Sequence, residues 1–427
     1  MSTGLCGKNT KFMTKRIILL TQWFDPEPNP RGMVFATELV KRGYEVEVIT
    51  GFPNYPGGKV YPGYKVKLCQ REYIDGVEIT RLPAYISHDE SALKRILSFV
   101  SFAISVTIYG VLFAKTADVM HVYHPPGVAA VIIRFFRRFY TVYDVQDMWP
   151  DNLRATGMIN NDAIINFIGN VCKWVYQQVD QITVLSPGFK KILVDRGVPA
   201  AKIEVIYNWC DEDALNAPVG TGAANFPVGK FTILFAGTMG KAQALESVIE
   251  AAEIVEQQQP QVNFVFLGAG VRVAKLKQMV QEKQLHNVTF LPKVSILEVG
   301  AVLQKADALL VHLKDDLLFQ FYLPSKVQAY LAMGKPIIMG VLGDAANVIE
   351  KGQCGVLAQP ENARSIADAA ISLATLSTDE LSAMGHSGKD FYDREMSVKI
   401  GVAKFCNIFE RVTENNPKSQ QRSENVA

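Results

Sequence analysis

Short apolar runs alternate along the chain with stretches of helical periodicity. The first apolar run lies at 16–21, a helical stretch follows over 33–42, and Val-Glu-Val-Ile-Thr forms a second run at 46–50. Because two parallel strands need a long crossover between them, this βαβ pattern predicts a parallel sheet. The same pattern predicts further strands at 77–82, 119–123, 140–145, 181–185 and 203–207.

The alternation starts again at 231–235, after a passage rich in glycine, alanine and proline over 217–229. It then predicts strands at 264–267, 288–291, 308–312 and 336–340. The expected fold class is therefore α/β, with two Rossmann-like, doubly wound domains. Such domains face each other across a cleft at the carboxyl ends of their sheets.

The expected domain boundaries follow from this repeat. A polar extension at 1–14 and a polar tail at 415–427 are expected to be disordered. Between them the sequence predicts a first domain at 15–216, a linker at 217–229 and a second domain at 230–395. A final helix at 396–414 either stays with the second domain or crosses back to the first.

Composition and charge exclude several classes of protein. The 427 residues are enough for two domains, and a net charge of +2 argues against nucleic-acid binding by bulk electrostatics. The six cysteines are far apart, so neither a zinc site nor a disulfide framework is predicted, and a reducing cytosol is the simplest compartment. The first residues lack the apolar core of a signal peptide. We expect no metal and no cofactor.

Residues 96–114 carry no formal charge, although lysine and arginine flank them. Their length would allow a bilayer span. Three serines at helical spacing (Ser98, Ser101 and Ser105) give one face a polar character, and a span would separate strands of one sheet. A helix partly buried against its domain and partly in the lipid surface is therefore favoured over a span.

A second segment, 134–139, mixes three arginines with three phenylalanines. Basic and aromatic side chains together suit an anionic membrane surface. The alternative is a helix end with core phenylalanines and solvated arginines. If the first interpretation holds, the regions 94–115 and 134–139 bring the N-terminal half to a membrane.

The segment Pro324-Ser325-Lys326 indicates an anion site. An apolar strand at 308–312 precedes it, a short helix begins at the Pro-Ser step, and Gly334 ends that helix. A helix N-terminus presents unpaired N–H groups and partial positive charge, and a lysine stands beside it here. The segment is suited to hold a diphosphate, although a surface lysine at a helix start is the plain alternative.

Three motifs, at 145–150 (Val-Gln-Asp-Met-Trp-Pro), 240–245 (Gly-Lys-Ala-Gln-Ala-Leu) and 324–330 (Pro-Ser-Lys-Val-Gln-Ala-Tyr), occur in order. Together they resemble the retaining glycosyltransferases of family 4 with the GT-B fold. The similar subgroup builds bacterial O-antigen and capsule and includes N-acetyl-L-fucosamine and colanic-acid transferases. The resemblance covers roughly 15–412.

The resemblance implies transfer of a sugar from a nucleotide diphosphate, with UDP as first candidate and an N-acetylated 6-deoxy sugar as one option. The acceptor would be a lipid-linked or growing saccharide at the inner face of the plasma membrane. It also implies retention of anomeric configuration. Two alternatives stay open: a UDP-sugar epimerase of similar shape, and a catalytically degenerate, membrane-docked nucleotide-binding subunit.

The resemblance places the donor in the second domain. Lys326 and Lys241 would stabilise negative charge on the leaving diphosphate. Thr238 and Gln243 stand where the family commonly has an arginine and a lysine, so Lys241 is expected to take over that role. Further donor-binding positions are Gly237, Gly268, Gly270, Lys293, Val294, Pro324, Ser325 and Gln328.

The acceptor side is expected in the first domain. Asp147, after a predicted strand, would take the proton of the acceptor hydroxyl or orient the sugar; capping of a helix is the alternative. Arg31 and Gly32 in the first loop, and His124 after another strand, are further candidates. Each of these also fits an ordinary loop.

The chain departs from the family at two positions. Many members carry two glutamates that contact the donor sugar and ribose; here these positions are Phe321 and Ala329. Gln328 could offer the ribose an amide, but it points elsewhere on the helix by about 100°. Either the contacts are rearranged or the enzyme is impaired, and we favour an active enzyme.

Overall fold

The structure is a computed structural model that describes residues 15–55, 57–86, 92–155, 159, 161–217 and 226–414. The predicted extension, the predicted tail and most of the predicted linker lie outside these residues.

The first sheet has the strand order β3-β4-β2-β1-β5-β6-β7-β8. β3 pairs antiparallel with β4, whereas β4, β2, β1, β5 and β6 pair in parallel. β1 and β2 are buried along almost their whole length, as expected for central strands covered on both faces. The strands are β1 (Arg16–Leu20), β2 (Glu45–Gly51), β3 (Gln70–Ile74), β4 (Val77–Leu82), β5 (Val119–Tyr123), β6 (Tyr140–Val145), β7 (Gln181–Val184) and β8 (Ile203–Val205).

The helices of this part of the chain are mostly the crossovers that parallel strands require. They are α1 (Met33–Lys41), α2 (Ala92–Leu112), α3 (Gly127–Arg137), α4 (Asp151–Ala155), α5 (Asp162–Gln178), α6 (Pro187–Asp195) and α7 (Glu212–Leu215), with a 3₁₀ turn at Ala200–Lys202. Gly43, which has a φ of 90°, follows the end of α1 as the sequence predicts.

The second sheet has the order β11-β10-β9-β12-β13-β14, and its strand pairs are parallel. Its strands are β9 (Phe231–Ala236), β10 (Val262–Leu267), β11 (Val288–Leu291), β12 (Ala308–His312), β13 (Ile337–Gly340) and β14 (Gly355–Leu357). Its helices are α8 (Glu246–Gln258), α9 (Val273–Glu282), α10 (Ile296–Gln304), α11 (Ser325–Ala332), α12 (Asp344–Gly352), α13 (Ala363–Ala374), α14 (Thr378–Glu395) and α15 (Val398–Glu414), with 3₁₀ turns at Lys241–Gln243 and Phe319–Phe321.

The described residues form two compact units. The first takes its residues from Met1–Val145, Asn166–Ile182 and Cys406–Ala427, and the second from Gln146–Ile165 and Thr183–Phe405. In the second unit, two apolar clusters pack on opposite faces of the sheet, one against α11 and α12 and the other against α8 and α13. The α/β class with two mainly parallel sheets is confirmed, while the boundaries at 216 and 230 stay predictions.

Two strands were not predicted from the sequence. β3 (Gln-Arg-Glu-Tyr-Ile) is largely exposed at the sheet edge, so it lacks the apolar character of a buried strand. β14 has three residues, too few for a periodic pattern. Both lie at the margin of a sheet, where burial imposes the least pattern on the sequence.

One described helical segment, Lys94–Leu112, is long and apolar enough to cross a membrane, with a mean hydropathy of 1.8. Its inner face carries Phe102, Val106 and Tyr109, which are buried in the first unit. The Ser105 hydroxyl donates to the Pro83 carbonyl at 2.6 Å. The polar face of α2 is therefore packed on its domain.

Candidate active site

The buried ammonium of Lys326 is the central feature of the second unit. The lysine lies in the first turn of α11, and its Nζ is fully buried without a hydrogen-bond partner among the described residues. Nζ is 3.6 Å from the centroid of the Phe235 ring. Burial lowers the pKa of Lys326 to about 7. A surface lysine would not be in this environment, so the plain alternative for Lys326 is wrong.

A glycine loop passes beside this ammonium. Gly237 follows β9 with a φ of 139°, and a Cβ there would lie 3.3 Å from the Lys326 Nζ. The buried Tyr330 hydroxyl accepts a hydrogen bond from the Ala236 N–H at 2.9 Å and lies 3.3 Å from the Ala236 carbonyl. Tyr330 therefore fixes the end of β9, and with it the position of Gly237 relative to Lys326.

The glycines after β10 are required by contact with the Gly237 loop. A Cβ on Gly268 would lie 2.1 Å from the Gly237 carbonyl oxygen, and one on Gly270 would lie 2.3 Å from the Met239 carbonyl oxygen. The Met239 N–H donates to the Ala269 carbonyl at 2.9 Å. Close packing of two loops thus accounts for Gly268 and Gly270, and their contact with a nucleotide base stays a prediction.

The rest of the glycine loop forms a 3₁₀ turn, Lys241–Gln243. Thr238 and Lys241 are exposed, so their side chains are available to a ligand. The side chain of Gln243 is used locally, since its Oε1 accepts from the Gly240 N–H at 2.9 Å. Of these loop residues, the exposed Lys241 therefore has its side chain available for a diphosphate, whereas the Oε1 of Gln243 is already used within the loop.

His312, at the end of β12, connects three loops and was missed in the sequence. Its Nε2 accepts from the Glu361 N–H at 3.0 Å, so its Nδ1 carries the proton and donates to the Gln243 carbonyl at 2.7 Å. Burial lowers the pKa of His312, which keeps the ring neutral. The sequence signal for it is a histidine as the last residue of an otherwise apolar strand.

The remaining donor-side candidates lie around the start of α11 and after β11. Pro324 is the N-cap and Ser325 is exposed in the first turn. Gln328 is buried; in the orientation that satisfies its amide, its nitrogen donates to the carbonyls of Ser325 (2.8 Å) and Pro324 (3.1 Å). Its nitrogen is thus used within its own helix, and its ribose contact stays a prediction. Lys293 is exposed, and Val294 packs against the core.

The carboxyl group of Asp147 is partly buried. Its Oδ1 accepts from the Asn152 amide at 3.0 Å, and burial raises its pKa. A raised pKa brings a carboxyl nearer to the range useful for proton transfer at neutral pH. Asp151, the first residue of α4, instead pairs with Arg196.

Two family models match the chain in order. The "Glycosyl transferase 4-like domain" matches residues 30–209, and "Glycosyl transferases group 1" matches residues 222–391. The chain belongs to the group 1 glycosyltransferases. The predicted family resemblance is therefore confirmed.

This glycosyltransferase is similar to an enzyme named for polysaccharide synthesis. It is 28% identical over 317 residues to the putative colanic acid biosynthesis glycosyl transferase WcaI of Escherichia coli K12, covering 69% of this chain and 75% of that protein.

Solved structures agree on the fold. The sucrose-phosphate synthase of Thermosynechococcus elongatus has a TM-score of 0.68 at 16% identity, over 94% of this chain and 100% of that one. Anabaena HepE in complex with UDP and glucose has a TM-score of 0.63 at 15% identity, over 93% and 99%. These likenesses confirm the GT-B fold.

The three acceptor-side candidates of this glycosyltransferase are buried in the first unit. The Arg31 Nε donates to the Asp144 carboxylate at 2.9 Å. A Cβ on Gly32 would lie 2.2 Å from Asp25 Oδ2, which accepts from the first N–H of α1. Burial lowers the pKa of His124 to about 3, so its ring is neutral. Each residue has a structural explanation, and an acceptor contact for any of them stays a prediction.

The chain has apolar side chains at the positions of the family's two missing glutamates, and the Asp344 carboxylate lies near one of them, since a Cβ on Gly188 would lie 2.7 Å from both Asp344 Oδ2 and the Phe321 ring. Ala329 packs against the apolar core, and the Phe321 carbonyl accepts from the Ser186 hydroxyl at 2.6 Å. Among the described residues, no group of three or more His, Cys, Asp or Glu could hold a metal ion.

Proposed function

We propose that this glycosyltransferase moves a sugar from a nucleotide diphosphate, with UDP foremost, to a lipid-linked or growing saccharide in surface polysaccharide synthesis. The observation that carries the proposal is the buried Lys326 ammonium at the start of α11. HepE, a GT-B neighbour, is described in complex with UDP and glucose, which supports the choice of nucleotide.

The electrostatics of Lys326 suit a diphosphate. A buried cation without a counter-charge is unfavourable, which is why burial lowers its pKa. A bound diphosphate supplies that counter-charge, and the N–H groups in the first turn of α11 add donors. An anion that binds here would therefore stabilise the buried ammonium of Lys326. This stabilisation would increase as negative charge grows on the leaving group.

The proposed reaction breaks the bond between the sugar C1 and the diphosphate oxygen and forms a bond from C1 to the acceptor oxygen. Lys326 and the exposed Lys241 stabilise the negative charge left on the diphosphate. The acceptor proton passes to the leaving phosphate or to Asp147, whose raised pKa suits a proton acceptor. In the front-face form of this scheme the anomeric configuration is retained.

The outer face of α2 supports an acceptor carried on a lipid. Leu97, Val100, Ile104, Ile108 and Leu112 recur at helical spacing and are 46–64% exposed. They lie opposite the face that packs on the domain, which is the arrangement of a helix lying in a membrane surface, not of a span.

Charge and aromatic groups flank this apolar stripe. Arg95 precedes it and Lys115 follows it, and both are exposed. On the neighbouring α3, Phe135 and Phe136 are 78% and 61% exposed, whereas Phe139 after the helix is buried, so the alternative of core phenylalanines holds only for Phe139. An anionic bilayer at the cytoplasmic face is the surface that matches cations around an apolar band.

The test of the donor site is thermal unfolding of the purified chain with UDP, GDP, dTDP or ADP. We expect one nucleotide, UDP, to raise the melting temperature of the wild type and to lose this effect in Lys326→Ala. Transfer to an acceptor separates the enzyme from its alternatives, because an epimerase converts UDP-sugar with no acceptor and a degenerate subunit binds without turnover. Equal stabilisation of wild type and Lys326→Ala would reject the site.

A further inference from the structure

A cluster of aromatic side chains lies at the carboxyl edge of the first sheet and has no role in the site described above. Trp23 follows β1, Tyr55 follows β2, and Phe99 lies in α2. The ring centroids of Trp23 and Tyr55 are 5.4 Å apart, and those of Trp23 and Phe99 are 6.0 Å apart. Tyr55 is 46% exposed and Trp23 is partly exposed, so the cluster presents ring surface to solvent.

The backbone that carries Tyr55 is fixed by hydrogen bonds. The buried Glu27 carboxylate accepts from the N–H groups of Asn54 and Tyr55, at 2.7 Å each. The Tyr61 hydroxyl donates to the Tyr55 carbonyl at 2.7 Å. The ring of Tyr55 therefore projects from a segment whose backbone is fixed by hydrogen bonds.

The backbone at Trp23 is fixed in a similar way. Its carbonyl accepts from the Asn29 amide at 2.6 Å and from the Thr21 hydroxyl at 2.8 Å. Phe99 meets the indole edge to face, since the two ring planes make an angle of 79°. The backbones of both residues are thus fixed, and the rings contact each other, before any ligand arrives.

We propose that Trp23 and Tyr55 form a subsite that stacks against a sugar ring of the acceptor saccharide, with Phe99 supporting the indole. The inference rests on the proposed glycosyl transfer and adds the acceptor contact. Aromatic faces carry partial negative charge, which attracts the C–H groups on one face of a pyranose ring. Tyrosine and tryptophan also supply rigid contact area at a low entropy cost.

A purely structural role explains these rings less well. A pair that served only to pack the loops would gain most from burying both rings, yet Tyr55 keeps almost half of its surface open. The acceptor-side residues predicted from sequence, Arg31 and His124, are buried. The exposed rings therefore offer a sugar an accessible contact surface, which the buried side chains of Arg31 and His124 do not.

The position on α2 fits an acceptor on a lipid. Phe99 directly precedes Val100, which is 49% exposed on the apolar face of α2. A sugar held against Trp23 would therefore lie beside the surface that we propose to contact the bilayer. This is where the first sugars of a lipid-linked saccharide would be found.

The experiment is saturation-transfer NMR on the full chain with UDP and with methyl glycosides of glucose, galactose, N-acetylglucosamine and fucose as probes. The variants Tyr55→Leu and Trp23→Leu remove the aromatic face but keep apolar volume, whereas Tyr55→Phe and Trp23→Phe keep a ring. Tyr73→Leu, a 75% exposed tyrosine on β3, is the matched control.

We expect the wild type to saturate the C–H protons of at least one glycoside, and the leucine variants to reduce this by about fivefold or more. The phenylalanine variants and Tyr73→Leu should stay within about twofold of the wild type. If Trp23→Leu does not fold, the comparison of Tyr55→Leu with Tyr55→Phe tests the subsite alone, because Tyr55 is exposed.

Wild-type saturation in Tyr55→Leu, or no saturation of any probe by the wild type, would overturn the subsite. Stabilisation by UDP, measured on the same samples, separates this result from the donor site. The leucine variants should retain that stabilisation, whereas its absence in the wild type would count against the proposed function itself.

Discussion

The Nζ of Lys326 lies over the ring of Phe235, 3.6 Å from its centroid, and no described carboxylate pairs with it. The ring face offers partial negative charge, so it stabilises the ammonium in part. The rest of the counter-charge is missing until an anion binds. Lys326 is therefore a binding group whose protonation depends on its ligand.

This dependence predicts proton uptake on binding UDP. The pKa of Lys326 is lowered to about 7 in the free protein, and a diphosphate raises it again. Above about pH 7 the free site is mainly neutral and must gain a proton to bind, so affinity falls as pH rises, by up to about tenfold per unit.

Calorimetry in buffers of different ionisation enthalpy measures this uptake. The titration is done at about pH 8.5, where the nucleotide itself is fully ionised. We expect close to one proton per UDP for the wild type and none for Lys326→Met. Zero uptake by the wild type would contradict the protonation change.

Tyr330→Phe should weaken both stability and UDP binding. The change leaves the Ala236 N–H without its acceptor and costs about 1–3 kcal/mol of the free energy of unfolding. It also frees the end of β9, so the Gly237 loop loses its position beside Lys326, and UDP affinity should fall several-fold.

The control is Tyr392→Phe in the same unit, whose hydroxyl donates to Glu212 at 2.8 Å. Urea denaturation should show a loss of stability for both variants, and calorimetry a loss of UDP affinity for Tyr330→Phe alone. Equal UDP affinities would mean that Tyr330 does not position the loop.

Gly268→Ala should disrupt the loops at the donor site. Its Cβ would meet the Gly237 carbonyl oxygen at 2.1 Å, and its φ of 138° is unfavourable for alanine. We expect a loss of about 3 kcal/mol in the free energy of unfolding, measured with urea, together with loss of UDP binding. Gly57→Ala, with no atom within 4 Å of its Cβ, should change neither quantity. Unchanged stability in Gly268→Ala would argue against the described loop contact.

Ile104→Glu should abolish binding to anionic vesicles. Ile104 is 56% exposed in the middle of the α2 stripe, so a carboxylate there would enter the lipid surface while the packed face of the helix is unchanged. Co-sedimentation with phosphatidylglycerol vesicles measures the effect. Val271→Glu, at an 81% exposed position in the second unit, is the control and should bind like the wild type. Retained binding by Ile104→Glu would remove the support for a docked helix.

The sequence predicted the buried strands well because parallel strands covered on both faces need continuous apolar runs. Five strands, β4, β5, β6, β11 and β12, have the predicted bounds, whereas the exposed β3 and the short β14 leave no such pattern. Lys326 was predicted from its place at a helix start after a strand and from the Pro-Ser-Lys motif that resembles the family.

Other parts of the site depend on contacts that are distant in sequence. Tyr330 meets Ala236 and His312 meets Glu361, and neither separation leaves a periodic signal. The burial of Arg31 was also hidden, because its partner Asp144 lies on another strand. Aromatic residues such as Trp23 and Tyr55 look like ordinary loop residues until the fold brings them together.

The most direct test of the donor site is a crystal structure of the chain with UDP. We predict that an oxygen of the diphosphate lies at about 2.8 Å from the Lys326 Nζ, with the first turn of α11 donating N–H groups to the same anion. A diphosphate bound elsewhere, with the Lys326 Nζ still over Phe235 and without an anionic partner, would contradict the account.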